Sequence, residues 1–394
     1  MKRSDGSLQV PLEAPRELHH LVTDAPASPC LHPWCDVWIN AAGWVSCCPQ
    51  NRMRWGNIRQ TPLETLWNSD PARRVRQLIG SGNYQEAGCD RECPFLRGSF
   101  QGPVQTPPVA ELINPPLIDP EDNSPCSRNF KEVETAYRQR QESLDCRPLF
   151  IDLQTTVRCN SDCFMCQQPH HDDMHLPVEL MESLFPYRAT ALFFRWQGGE
   201  SFIRKEFIGF LERFDDPTHP HCRRSVISNG SFLGDKLLER LVHVERPPFF
   251  LISMDAVSEE RYRQIRRTTN HARVMTALET LAHLQRTLGR KDLVTWNYVV
   301  MKSNFEEMDQ AIDLAQHWGI NLNFAPLQGP YHNENIFLFH NLIKHDILWK
   351  IIESLERNAL SASVAVSGFV GMRHRLLHRD ASIIENKHQS PIPT

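Results

Sequence analysis

The chain has 394 residues, 41% hydrophobic and 23% charged, with a formal net charge of −4 at pH 7. That length exceeds what one ordinary core organises, so two or three domains are expected. The balanced charge gives no footprint for nucleic acid or a membrane surface, and no apolar run reaches the roughly 18 residues a membrane span needs.

Residues 1–29 are polar, contain proline and lack the apolar stretch of a secretory signal. They predict a flexible lead and a cytoplasmic protein. Residues 30–97 gather Cys30, Cys35, Cys47, Cys48, Cys89 and Cys93. Residues 98–147 predict a proline-rich linker and then a charged connecting helix at 128–145. From 148 onward, apolar strands are predicted at 149–154, 191–196, 224–228, 249–254, 293–301 and 320–326. Helical spacing lies between them at 178–185, around 204–214, in two stretches across 258–288, and at 305–319, where Gly319 ends the helix. This alternation predicts an α/β fold: a parallel sheet closing into a partial (β/α)6 barrel over 148–326, with its functional side chains at the C-terminal strand ends. Residues 327–394 predict a helical extension, with one helix near 341–358.

The chain has 12 cysteines. In a protein read as cytoplasmic they are poor disulfide candidates, and in groups they indicate metal. Cys159-Asn-Ser-Asp-Cys163-Phe-Met-Cys166 follows the first barrel strand. Three thiolates on one short loop suit a 4Fe–4S cluster with one iron left for a small-molecule ligand. Zinc completed by His170, His171 or His175 is the plainer alternative. Cys126, Cys146 and Cys222 are scattered and read as ordinary thiols. Cys222 precedes the third strand and belongs at the opposite end of the barrel from the triplet.

This C-x3-C-x2-C spacing resembles that of the radical S-adenosylmethionine (SAM) superfamily. Later strand ends carry further features of the resemblance. Gly198-Gly199-Glu200 resembles the segment that meets the methionyl amino group, with Ser201 where many members have proline. Ser228-Asn229-Gly230 is similar to a segment near the cofactor. Ser253-Met254-Asp255 is similar to the ribose-contact segment, and Arg266 matches an arginine that often meets the methionyl carboxylate. Residues 30–97 resemble a SPASM/twitch auxiliary-cluster domain. They share a cysteine before Pro33-Trp34, a hairpin-like stretch from Gly43 to Cys48, Gly56-Asn57-Ile58, Trp67-Asn68-Ser69 and a closing cysteine pair. In such proteins this domain usually follows the barrel; here it precedes it.

The resemblance implies one cluster on Cys159, Cys163 and Cys166. It implies SAM held by Gly198, Gly199, Glu200, Ser228, Asn229, Ser253, Asp255 and Arg266. It also implies a second iron–sulfur cluster on Cys30, Cys48, Cys89 and Cys93, with Cys35 and Cys47 as spare ligands. The implied activity is reductive cleavage of SAM to a 5′-deoxyadenosyl radical, which takes hydrogen from a peptide or small-molecule substrate in maturation or natural-product biosynthesis. A one-electron reductant such as flavodoxin or ferredoxin is the implied partner. The alternatives are a sugar- or aminocyclitol-modifying enzyme of the same type, and a non-catalytic iron–sulfur or zinc scaffold or electron carrier.

Overall fold

The structure, a computed structural model, describes residues 30–90, 93, 122–234, 237, 240, 241, 244, 246–329, 331–339 and 341–377. The expected lead at 1–29, most of the proline-rich stretch, and the chain beyond 377 lie outside them.

Six consecutive strands form the centre of the molecule: β4 (Phe150–Thr156), β5 (Phe193–Gly198), β6 (Arg223–Ser228), β7 (Phe249–Ser253), β8 (Val294–Val300) and β9 (Asn321–Pro326). Each pairs in parallel with the next, so the strands stand in chain order. A short β10 (Val366–Ser367) adds to β9 in parallel. On the far side, β1 (Asp36–Ile39) runs parallel to β4, and β2 (Trp44–Ser46) and β3 (Gly56–Asn57) continue antiparallel. The result is one ten-stranded sheet, open between β10 and β3. The cysteine-rich N-terminal segment is thus hydrogen-bonded into the barrel sheet, with Trp38 opposite Asp152 and Ile39 opposite Leu153.

Period-2 alternation separates the two faces of the sheet. Trp196 packs on Phe207, Phe210 and Phe214 of the helix Glu206–Phe214, and Trp296 packs on Trp318 of the helix Met308–Trp318. Their strand neighbours face the other way. That inner face carries Asp152 opposite Arg195, Arg195 opposite Ser225, and Asn297 opposite Asn323. It is a polar lining: Arg195 lies 3.5 Å from Asp152, Asn323 donates to Asn297 (2.8 Å), and Ser367 donates to Asn323 (2.9 Å).

All six predicted barrel strands are present, within two residues at either end. Helix limits differ more. The connecting helix runs Pro125–Arg138, not 128–145. Ser124 caps its start by accepting from Ser127 N–H, and the chain turns off at Arg140, whose φ is +53°. The helix expected at 178–185 covers only Val178–Glu182, because Pro186 breaks it into a 3-10 turn. Pro62 flanks the helix Leu63–Trp67 with an extended ψ of 148° and no side-chain cap. Gly319 does end its helix, at φ +72°.

Candidate active site and cysteine sites

The cysteine triplet sits on a loop that leaves the C-terminal end of β4 and returns to it. Val157 N–H donates to Met174 C=O (3.0 Å), and Leu176 N–H donates to Thr155 C=O (2.9 Å). Higher in the loop, Cys159 N–H donates to His170 C=O (3.0 Å). Cys159 and Cys163 are half-buried and Cys166 is exposed. Burial pushes the Cys163 thiol up to about 11 against the pull of the Arg266 guanidinium, with Cys159 and Cys166 close enough to raise it further. His170 Nε2 lies 2.8 Å from Asp162 Oδ1, so this histidine is engaged within the loop.

The β5 end is built against that loop. Gly199 N–H donates to Thr156 C=O and Glu200 N–H to Arg158 C=O, both at 2.8 Å. A Cβ on Gly198 would lie 2.2 Å from the Thr156 carbonyl oxygen, and one on Gly199 would lie 2.1 Å from that of Arg158. The paired glycines are therefore required by backbone packed on backbone. Ser201, the departure from the resembled glycine-glycine-glutamate segment, shares a hydroxyl contact of 2.7 Å with Thr155.

Glu200 is fully buried. Its carboxylate accepts from Phe202 N–H (3.1 Å), Asn229 N–H (2.7 Å) and the Ser228 hydroxyl (3.0 Å to either oxygen). Burial nevertheless outweighs these donors and raises it to about 7. Glu200 thus ties the end of β5 to the end of β6. Asn229 carries the connection on to the cysteine loop: its side-chain amide donates to Asn160 Oδ1 (2.8 Å) and lies 3.7 Å from Cys159 Sγ.

Ser253 is half-buried at the end of β7, and Asp255 is fully buried just beyond it. Asp255 Oδ1 accepts from Val299 N–H (2.8 Å), and Oδ2 lies 2.6 Å from Arg266 Nε. Burial lowers the Arg266 guanidinium, but Asp255 and Cys163 reverse this and hold it well above its ordinary value. Arg266 ends the helix Glu259–Arg266, and its C=O accepts from Asp162 N–H (3.3 Å) in the cysteine loop. Seven of the residues expected to hold SAM therefore lie at or just beyond C-terminal strand ends, and Arg266, at a helix end, joins them through Asp255. Glu200 and Arg266 are also bonded to the chain's own groups.

Among the N-terminal cysteines, Cys30, Cys48, Cys89 and Cys93 lie within electrostatic reach of one another. Burial raises the Cys30 thiol far above its ordinary range, and nearby Cys93, Cys48 and Cys89 raise it further. Burial likewise pushes Cys89 up to about 12, with Asn51 Nδ2 3.7 Å from its sulfur. The Cys47 thiol donates to Cys48 and lowers it. Cys35 points to Asp36 Oδ1 (3.0 Å) and Leu31 C=O (3.5 Å) instead. Thiolate sets of this kind fit iron–sulfur clusters. Among the described residues, no three His, Cys, Asp or Glu side chains stand close enough to hold a single metal ion.

Sequence reasoning missed several supporting residues. Tyr331 donates its hydroxyl to Met165 C=O (2.6 Å), bracing the cysteine loop from the segment after β9. Glu307 accepts from Val257 N–H (2.7 Å) and the Ser258 hydroxyl, and Asn304 donates to Asp255 C=O (2.7 Å). Arg59 donates to Ala41, Ala42 and His175 carbonyls, seating the β1–β2 turn on the base of the cysteine loop. None of these residues stands in a recognisable motif.

Residues 153–315 match the Radical SAM superfamily, and residues 30–94 match the SPASM iron–sulfur cluster-binding domain. Among solved structures, Streptococcus suis SuiB bound to S-adenosylmethionine is similar at 13% identity and a TM-score of 0.46, covering 75% of this chain and 65% of that one. Native anSMEcpe with bound AdoMet gives 17% and 0.42, covering 56% and 64%. A radical SAM methyltransferase from Sphaerobacter thermophilus gives 14% and 0.40, covering 55% and 64%. The chain thus spans just under two thirds of the length of these structures. SuiB has also been solved with its precursor peptide SuiA, and anSMEcpe with Cp18Cys peptide. No curated protein matches the chain. With a cysteine triplet at the end of the first barrel strand and a parallel sheet in chain order, the chain carries a Radical SAM superfamily domain over residues 153–315 and a SPASM domain over residues 30–94, on its N-terminal side.

Proposed function

We propose that the protein is an enzyme that cleaves S-adenosylmethionine reductively and uses the resulting radical to take a hydrogen atom from a peptide or small-molecule substrate. The observation that carries this reading is the convergence of Cys159, Cys163 and Cys166 with the ends of β5, β6 and β7 at one mouth of the sheet. A bound 4Fe–4S cluster with SAM on its open iron would supply the electron and the 5′-deoxyadenosyl radical.

The chain's own residues bind, orient and shield. Cys159, Cys163 and Cys166 are the proposed cluster ligands, and Arg266 places positive charge beside Cys163. Gly198 and Gly199 keep the β5 edge flush with the cysteine loop. Glu200, Ser228 and Asn229 lock two strand ends to that loop, and Ser253 and Asp255 extend the same rim along β7. The inner face below the rim, with Asp152, Arg195, Asn297 and Asn323, is a polar lining suited to a polar substrate that hydrogen-bonds many groups at once. Cys30, Cys48, Cys89 and Cys93 are the proposed ligands of a second cluster. Because β1 is bonded to β4, that site is fixed rigidly against the barrel. This placement suits a role for it in accepting an electron from the substrate or in seating the substrate, and the proposed reductive cleavage itself calls for a one-electron reductant such as flavodoxin or ferredoxin.

The test is product formation. Anaerobically reconstituted protein given SAM and dithionite should form 5′-deoxyadenosine and methionine, and Cys163→Ala should form neither. A wild type that forms none sinks the proposal and leaves the iron–sulfur scaffold reading. Adding candidate peptides and polar small molecules, and looking for stimulated 5′-deoxyadenosine with a matching mass change, then decides between the substrate classes.

A further inference from the structure

The opposite end of the sheet carries a second concavity. A cleft of about 410 Å³ lies at the N-terminal strand ends, lined by the residues that open β6 and β7 and precede β8. Four arginines face it: Arg223, Arg224, Arg246 and Arg290. They are organised around two carboxylates. Asp292 lies 2.9 Å from Arg223 and 3.2 Å from Arg290. Asp215 lies 2.8 Å from Arg224 and 3.3 Å from Arg246. The nearby Arg188–Asp216 pair (3.3 Å) is balanced in itself.

A purely structural salt-bridge network would match its charges. Here each carboxylate is shared by two guanidiniums, so each trio retains one positive charge, on a chain whose net charge is −4. Arg246 Nε is buried and has no hydrogen-bond partner among the described residues. Arg223 and Arg290 lie 4.1 Å and 4.9 Å from the centroid of the Phe249 ring, which holds both guanidiniums in place. Fixed, partly buried guanidiniums in surplus are the arrangement that recognises oxyanions with two or more charges. The cleft has room for more than a lone inorganic ion.

We propose that this cleft binds a phosphate-bearing small molecule carrying at least two negative charges. The site lies at the opposite strand ends from Cys159, Cys163 and Cys166, so its ligand is neither the SAM nor the substrate of the proposed radical reaction. The proposal stands whether or not that reaction is confirmed.

The test uses reconstituted full-length protein, with calorimetry and melting curves in orthophosphate, diphosphate, ATP and citrate at matched ionic strength. The expected result is saturable binding of diphosphate or ATP that weakens as salt rises. Diphosphate binding alone identifies a free anion as the ligand, and tighter ATP binding identifies a nucleotide. Arg223→Gln/Arg290→Gln should weaken binding by at least about tenfold. Asp292→Asn, which adds to the surplus charge, should tighten it severalfold. If the double variant fails to fold, Asp292→Asn decides alone, since unchanged affinity there overturns the proposal. Absence of binding at millimolar anion, or a preference for citrate, overturns it as well.

Discussion

Replacing Glu200 by Gln separates two roles for this residue, a strut between strands and a contact for the methionyl ammonium. The carboxylate accepts from three buried donors through both oxygens. A Gln amide keeps one acceptor oxygen and turns an NH2 toward the remaining donors, leaving one of them unsatisfied. That costs about 1–3 kcal/mol. The penalty is pH-dependent. Burial raises Glu200 from 4.5 to about 7, so the folded wild type holds a proton that the unfolded chain releases. Stability from this group is present below about pH 4.5 and is lost as pH rises towards 7. At 1.36 kcal/mol per unit the loss is on the order of 3 kcal/mol. The wild type's advantage over Glu200→Gln should therefore be largest in mild acid and shrink towards neutrality. The assay is anaerobic urea unfolding of both apo proteins from pH 4.5 to 7.5, paired with SAM binding by equilibrium dialysis. Equal stability at every pH, with SAM binding lost, would refute the strut argument and leave only a ligand contact.

Asp255→Asn removes one member of a buried ion pair and leaves Arg266 uncompensated beside Cys163; a loss of about 3–5 kcal/mol is expected in urea unfolding, with less than additive loss in the double variant Asp255→Asn/Arg266→Met. Gly199→Ala places a methyl group 2.1 Å from the Arg158 carbonyl oxygen, so the β5 end must move off the cysteine loop. The expected outcome is a lower unfolding midpoint and 5′-deoxyadenosine formation reduced by more than about tenfold, read by chromatography. Arg76 is fully buried and donates to the carbonyls of Pro33 (2.8 Å), Trp67 (2.7 Å) and Glu142 (2.9 Å). Arg76→Met should destabilise by about 3 kcal/mol or more and lower the iron retained by the N-terminal cysteines, with the triplet's iron unaffected.

The barrel was legible because its strands are short, largely apolar runs separated by helical spacing, with the outward positions buried under the helices. The triplet and the glycine pair were legible because their chemistry tolerates few residue types. Cys30, Cys48, Cys89 and Cys93 were chosen on resemblance alone, because six cysteines in one segment leave the ligand set open. The pairing of β1 with β4 was not legible. Asp-Val-Trp-Ile is a four-residue strand whose partner lies more than a hundred residues away, and nothing local encodes that register. The bonds from Glu200 to Ser228 and from Asp255 to Arg266 were hidden for the same reason. A motif states which residues are present at a strand end, whereas their mutual hydrogen bonds depend on how neighbouring strand ends are spaced. Tyr331, Glu307 and Arg59 brace the site through contacts to backbone carbonyls or N–H groups, and such contacts leave no pattern in sequence.

The most direct test of the account is whether SAM meets a cluster held by Cys159, Cys163 and Cys166. The measurement is iron content and the reduced-state electron paramagnetic resonance spectrum, with and without SAM, for wild type and for Cys159→Ala/Cys163→Ala/Cys166→Ala. The account predicts that SAM changes the wild-type spectrum. The triple variant should lose that change and keep roughly half the iron, as expected for two cysteine-held clusters. A SAM-insensitive wild type, or a triple variant with full iron and an unchanged response, would contradict it.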